Sequence, residues 1–184
     1  MYTLWRLPRT VPRASRPARI LWHWLLDPAS LTLRLQAVCG EFRVEVLRNA
    51  WARPTLDELH TLGLRPGQRA LVREVHLLCD GRPWVFARTV IPRETLSGKY
   101  RRLARLGNRS LGAVLFADKT MRRADVHVAC LTPAHRLYKH TTLGLKGKPP
   151  DQFWGRRSLF YLCERPLLLS EIFLHDMRPC KLPI

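Results

Sequence analysis

Two arginines and a glutamate stand where a β-strand pattern expects apolar side chains. Arg73 falls in phase with Leu71, Val75, Leu77 and Cys79, and Arg88 with Trp84, Phe86 and Val90. Nearer the C-terminus, Glu171 falls in phase with Leu167, Leu169 and Phe173. Period-two alternation puts each set on one face of its strand. A guanidinium among apolar neighbours is costly to bury unless an anion meets it. The chemistry these residue types allow is a small pocket with an anion clamp and a proton-handling carboxylate. A buried ion pair, or two solvated charges, accounts for the same spacing, and spacing leaves both readings open.

Two hairpins must position these groups. Leu71 to Pro92 reads as two strands around Asp80-Gly81, a pair suited to the positive φ of a two-residue turn. Ser158 to Leu174 reads as two more, turning around Glu164-Arg165-Pro166. The opposite faces also carry Val72, Leu78, Val85 and Ile91, so the pattern does not say which face is inside.

Residues 1–17 hold arginines and prolines and no acid, which reads as a basic arm, mobile or loosely docked. Residues 18–176 read as one domain and 177–184 as a tail. Ala18 to Leu26 is a helix candidate. A second helix carries Leu31, Leu35 and Val38 on one face and stops at Gly40 as a C′ residue. Glu41 to Trp51 alternates as a strand, and Thr55 to Leu62 suits a helical turn with Asp57 and Glu58 at its start. After the first hairpin, Glu94 to Leu106 is helical in pattern, Leu111 to Phe116 is a short helix capped by Ser110, and Lys119 to Ala129 is a strand. Residues 131–153 show no period and read as a long surface loop. The order is helix, helix, three strands, repeated once. Each half has a Ser-Leu pair at a helix start, Ser30-Leu31 and Ser110-Leu111. A leucine just past an N-cap presents a free backbone N–H at the positive end of the helix dipole, where carboxylates bind.

The formal net charge of +18 is compatible with a polyanion surface, with steering of an anionic small molecule, or with dispersed arginine. The basic residues form no block and accompany no helix-turn-helix, zinc-finger or RNA-recognition signature, so nucleic acid is not expected as a partner. The apolar runs are too short for a membrane span. The five cysteines contain no CxxC pair and the histidines no ligand spacing, so metal is not expected and the thiols are expected reduced in a cytoplasmic protein.

Several stretches together carry a family resemblance: VREVHLLCDGRPWVFARTVIPRETLSG, LGNRSLGAVLF, WGRRSLFYL and RPLLLSEIFL. In that order, from about Ala18 to Leu174, they resemble the chorismate pyruvate-lyases of bacterial ubiquinone biosynthesis. The resemblance implies an α+β fold: a six-stranded antiparallel sheet with helices packed on one face, built from a duplicated helix–helix–three-strand unit. It implies cofactor-free conversion of chorismate to 4-hydroxybenzoate and pyruvate by a cytoplasmic protein, expected to be a monomer. It carries ligand contacts onto Arg73, Leu111 and Glu171, with Arg73 and Glu171 catalytic. Leu31 joins them at a position where the family often has methionine. Arg88 is carried over as an arginine close to the pocket, for a second carboxylate or an access site. Slow release of an enclosed product is also implied. The segment between Cys130 and Phe153 is longer than the family's usual route, and is expected to remodel a flap or mouth. The competing reading is a non-catalytic small-anion binder, since effector domains of some bacterial transcription regulators resemble this fold.

Overall fold

The structure, a computed structural model, describes residues 3–145 and 147–174. The tail expected beyond residue 176 lies outside them. The elements in chain order are α1 (Arg19–Leu26), α2 (Leu31–Val38), β1 (Phe42–Ala52), α3 (Leu56–Leu62), β2 (Ala70–Cys79) and β3 (Arg82–Ile91). The second half holds a 3-10 helix (Gly98–Arg105), α4 (Leu111–Phe116), β4 (Met121–Arg123), β5 (His127–Leu131), α5 (Arg136–Thr142), β6 (Phe153–Leu162) and β7 (Arg165–Phe173). The α+β class and the repeated order are as the sequence implies.

All strand pairs are antiparallel, in the order β1-β2-β3-β7-β6-β4, with β5 also on β6. The sheet is therefore six positions wide but has seven strands. The strand expected over 119–129 is broken around Asp125, a poor strand former, so β4 takes one end of β6 and β5 the other. The first hairpin turns at Asp80 and Gly81, both at positive φ. The last turns at Cys163 and Glu164, one position earlier than expected, and Arg165 and Pro166 already belong to β7.

Both sheet faces are covered, which extends the expectation of helices on one face. On the larger side Leu71, Val75, Leu77, Val85, Leu167, Phe160 and Phe173 pack beneath Trp24, Leu25, Leu31, Leu35, Leu103, Leu111 and Leu115. On the other, Val72, Val90 and Leu168 meet Leu62 of α3, and Phe86, Leu131, Phe153 and Ile172 meet Tyr138 of α5. The reason is in the strands: β2, β3 and β7 are apolar on both sides, and each side needs a cover.

Helix α5 corrects the expectation of an unstructured 131–153 loop. It has few apolar residues and less than two full turns, so no period stands out; Tyr138 and Thr141 bury it against the sheet. The arm is docked rather than mobile: Arg6 forms a two-bond bridge with Val128, and Val11 is buried. The expectation of reduced thiols is corrected for two of the cysteines, while Cys130 and Cys163 are free. Cys39, just after α2, forms a disulfide with Cys79 at the end of β2. Phe42 pairs with Cys79 across β1 and β2, which returns the chain and brings the two cysteines together. Gly40 sits in that return, outside the positive-φ glycines; a Cβ there would lie 3.1 Å from Asp80 Oδ1, so it serves close approach, not a C′ conformation.

Candidate active site

The sheet register lays out the floor of a pocket on the larger side. One row across it runs Arg73, Thr89, Leu169, Ser158, and the next runs Val75, Ala87, Glu171, Arg156. Arg73 and Glu171 thus project from the same face, as their phase with apolar neighbours suggests. The small side chains of Ala87 and Thr89 lie between the charged ends of the rows and leave space above the sheet.

The roof is made by two helix starts. Ser30 caps α2 by accepting from Leu33 N–H, and Ser110 caps α4 by accepting from Ala113 N–H. The two caps meet, with Thr32 Oγ1 2.7 Å from Ser110 Oγ. Gly112 permits this contact: a Cβ there would lie 3.0 Å from Thr32 Oγ1 and 3.3 Å from Ser30 Oγ. The duplicated Ser-Leu pairs therefore converge over one pocket, and both Leu31 and Leu111 line it. About 510 Å³ there is not filled by atoms, the mouth included.

Arg73 is 2% exposed. Its Nη2 donates to Arg109 O at 3.2 Å, while its Nη1 is buried with no partner among the described residues. No carboxylate lies within ion-pair distance among the described residues, and burial pushes its pKa below the ordinary arginine value. Glu171 is buried too. Its Oε2 accepts from Arg156 Nε at 2.6 Å, which leaves Oε1 for the pocket. Arg156 is held at two of its nitrogens, since its Nη1 also donates to Trp24 O at 3.2 Å and Asp27 O at 2.8 Å.

Arg88 is not part of this site, which corrects its assignment to a second carboxylate or an access position. It pairs with Glu74 on β2 and Ser170 on β7, on the opposite face of the sheet. There it donates to Glu58 at 2.7 and 3.0 Å and to Glu74 at 2.5 Å. Burial alone lowers an arginine's pKa, but the hydrogen bonds and charges of the two glutamates outweigh it and hold Arg88 above its ordinary value. His140 of α5 comes within 3.0 Å of Glu74, so the 131–153 segment covers this cluster. None of its described residues lines the pocket. The expectation that it reshapes the pocket mouth is thereby corrected: its apolar groups match the sheet face away from Arg73.

Two residues were missed. Arg156 carries the same signal as Arg73, being in phase with Trp154, Phe160 and Leu162. Arg123 lines the pocket from β4, with Nε on Ser158 Oγ at 2.9 Å and Nη1 on Pro28 O at 2.9 Å. A three-residue strand gives too little periodicity to place it. A wider, open groove beside the arm holds Arg6, Arg16 and Asp151 but no such convergence of charge over a closed floor.

Fold and pocket together define a class: an antiparallel α+β domain with a pocket that presents a buried arginine and glutamate beneath paired helix starts. Solved domains of this shape are found in transcription regulators. The PhnF C-terminal domain superposes with a TM-score of 0.59 at 14% identity, covering 82% of this chain and 94% of that one. The ligand-binding domain of a putative GntR-family regulator from Bordetella bronchiseptica gives 0.57 at 16%, covering 79% and 90%. Sequence relatives narrow the class. A probable chorismate pyruvate-lyase of Azoarcus sp. (strain BH72) is 47% identical over 172 residues, 92% of this chain and 88% of that protein. One from Nitrosomonas europaea is 42% identical over 164 residues, 89% and 91%. The family described as chorismate lyase matches residues 3–178. This chain belongs to the chorismate lyase family.

Proposed function

We propose that the protein is a chorismate pyruvate-lyase, converting chorismate to 4-hydroxybenzoate and pyruvate without a cofactor. The observation that carries this reading is Arg73: a buried cation with a nitrogen unpartnered among the described residues, facing a partly enclosed, largely apolar pocket that also presents Glu171. Desolvating a guanidinium without an acid partner is unfavourable in the empty protein, and a ligand carboxylate removes that penalty. A planar fork suits a carboxylate held by two parallel hydrogen bonds. The Leu111 N–H, without an intrahelical partner at the first position of α4, adds a donor on the roof. Leu31 supplies the matching wall of α2.

In the reaction the ether C–O bond breaks and the hydroxyl-bearing ring carbon gives up its proton. The ring becomes aromatic, and the departing enolpyruvate takes up a proton to become pyruvate. The change is redox-neutral and needs no co-reactant. Arg73 holds the ring carboxylate, and Glu171 Oε1 orients the hydroxyl and relays a proton. Orientation, charge complementarity and exclusion of water supply the remainder. The product then serves ubiquinone biosynthesis, with the protein acting as a cytoplasmic monomer.

A non-catalytic anion binder is the second reading, favoured by the Bordetella neighbour's description as a ligand-binding domain. Purified protein mixed with chorismate, without added metal or cofactor, separates the two. Equal amounts of 4-hydroxybenzoate and pyruvate above the spontaneous rate, lost in well-folded Arg73→Ala and Glu171→Ala proteins, are expected. Binding without product would establish the second reading instead.

A further inference from the structure

The pocket lining contains more positive charge than one carboxylate ligand neutralises. Four charged side chains line it: Arg73, Arg123, Arg156 and Glu171. Three arginines against one glutamate leave a lining of net charge +2. Arg156 is matched by Glu171 in a register pair and spends its Nη1 on two main-chain carbonyls. Arg73 and Arg123 are the two that have no carboxylate within ion-pair distance among the described residues. Both are pulled below the ordinary arginine range, Arg123 by burial and then by the neighbouring Arg156, against weaker opposing fields from Glu171 and Asp27.

Their placement fits a ligand with charge at both ends. Arg73 begins the floor row Arg73, Thr89, Leu169, Ser158, and Arg123, paired one register step along with Phe160, leans back to bond Ser158 at the row's far end. The backbones of β2 and β4 are four inter-strand steps apart, about 19 Å. Two long side chains extended inward from these ends leave the span of one small ring with a substituent. Ala87 and Thr89 keep the floor between them low, and Glu171 stands in the adjacent row. Arg123 is itself pre-set, because Ser158 and the Pro28 carbonyl fix two of its nitrogens. Among the described residues no bond occupies its Nη2.

We propose that Arg123 receives the second carboxylate of a dianionic substrate, and so selects substrate over the singly charged aromatic product. On the lyase reading, on which this rests, Arg73 takes the ring carboxylate and Arg123 that of the enolpyruvyl ether. Breaking the ether then frees the half of the molecule that Arg123 holds, while Arg73 keeps the product.

The test compares Arg123→Gln, Arg123→Lys and Arg73→Gln with wild type. It reads KM for chorismate and the dissociation constant of 4-hydroxybenzoate by calorimetry, with thermal unfolding to confirm each fold. Arg123→Gln is expected to raise KM about 10- to 100-fold, the worth of a charged hydrogen bond. Its 4-hydroxybenzoate affinity should stay within about twofold, and Arg123→Lys should recover part of the loss through its charge. Arg73→Gln should weaken both ligands. Equal weakening of both ligands by Arg123→Gln, or an unchanged KM, would overturn the assignment while leaving the lyase reading intact. Wild-type protein that binds both ligands without turnover would instead overturn the lyase reading; chorismate affinity, read directly, would then test Arg123 in the same way.

Discussion

The two faces of the central hairpin each bury an arginine, and the two are in opposite states. Arg88 on β3 is gripped by Glu58 and Glu74, with Arg157 and Asp57 paired nearby across α3 and β6. Arg73 on β2, on the facing side, has one carbonyl partner and a nitrogen with none. A buried cation that the protein neutralises itself is part of the architecture. One that it leaves unneutralised is, on the proposed function, where the ligand carboxylate sits. The pKa shifts express the same contrast, upward for Arg88 despite burial and downward for Arg73 because of it.

The largest effect should come from Arg88→Met. It leaves two buried carboxylates without their cation, at a cost of about 3–5 kcal/mol. Chemical denaturation should show this loss, while the protein that remains folded keeps its activity. Equal loss of activity and stability would break the contrast between the faces. Arg73→Gln should behave in the opposite way. Lyase activity, as kcat/KM, should fall about 100-fold through loss of a charge-assisted carboxylate contact. The unfolding midpoint should be no lower than wild type, because an uncompensated buried charge has gone.

Acid sharpens the contrast further. Burial raises the carboxyl pKa of Glu58 and of Glu74, but hydrogen bonds and charge from Arg88, and from His140 at Glu74, pull both below the ordinary value of 4.5. A carboxylate with a depressed folded pKa contributes stability fully above its unfolded pKa, and that contribution is lost as pH falls through the folded value. Stability should therefore hold above about pH 4.5 and drop below it. In Arg88→Met the two glutamates are buried without a cation, protonation favours the fold, and the slope over this range should reverse. Denaturation midpoints measured from pH 3 to 6, with pH stepped by about half a unit, check both signs. The smallest effect is at the roof. Ser110→Ala removes the α4 cap and the contact with Thr32, and should cost about 1 kcal/mol of stability.

The elements themselves were largely legible. Asp80-Gly81 marked the first turn, the helical turn expected from Thr55 to Leu62 is α3, and Ser30 and Ser110 cap α2 and α4. Each depends on a few adjacent residues. Helix α5 and the break between β4 and β5 were not legible, because they depend on what the sheet offers beneath them. The same holds for Cys39 and Cys79, whose separation of 40 residues says nothing until β1 folds back along β2.

For the site, period-two alternation was enough to single out Arg73 and Glu171 as charges among apolar neighbours, and N-cap chemistry to mark the duplicated Ser-Leu pairs as helix starts. Alternation reports only which residues of one strand share a face. It does not say which face of one strand continues onto the next, and so gave Arg88 the same standing as Arg73. Register across five strands decided that Arg73, Glu171, Arg156 and Arg123 share one pocket and that Arg88 lies behind it. What the sequence determined by itself was the local chemistry of each strand and cap. Which charges meet, and which are left without a carboxylate, was decided by strand pairing, above all of β3 with β7 about 80 residues further on, through backbone hydrogen bonds that carry no side-chain signature.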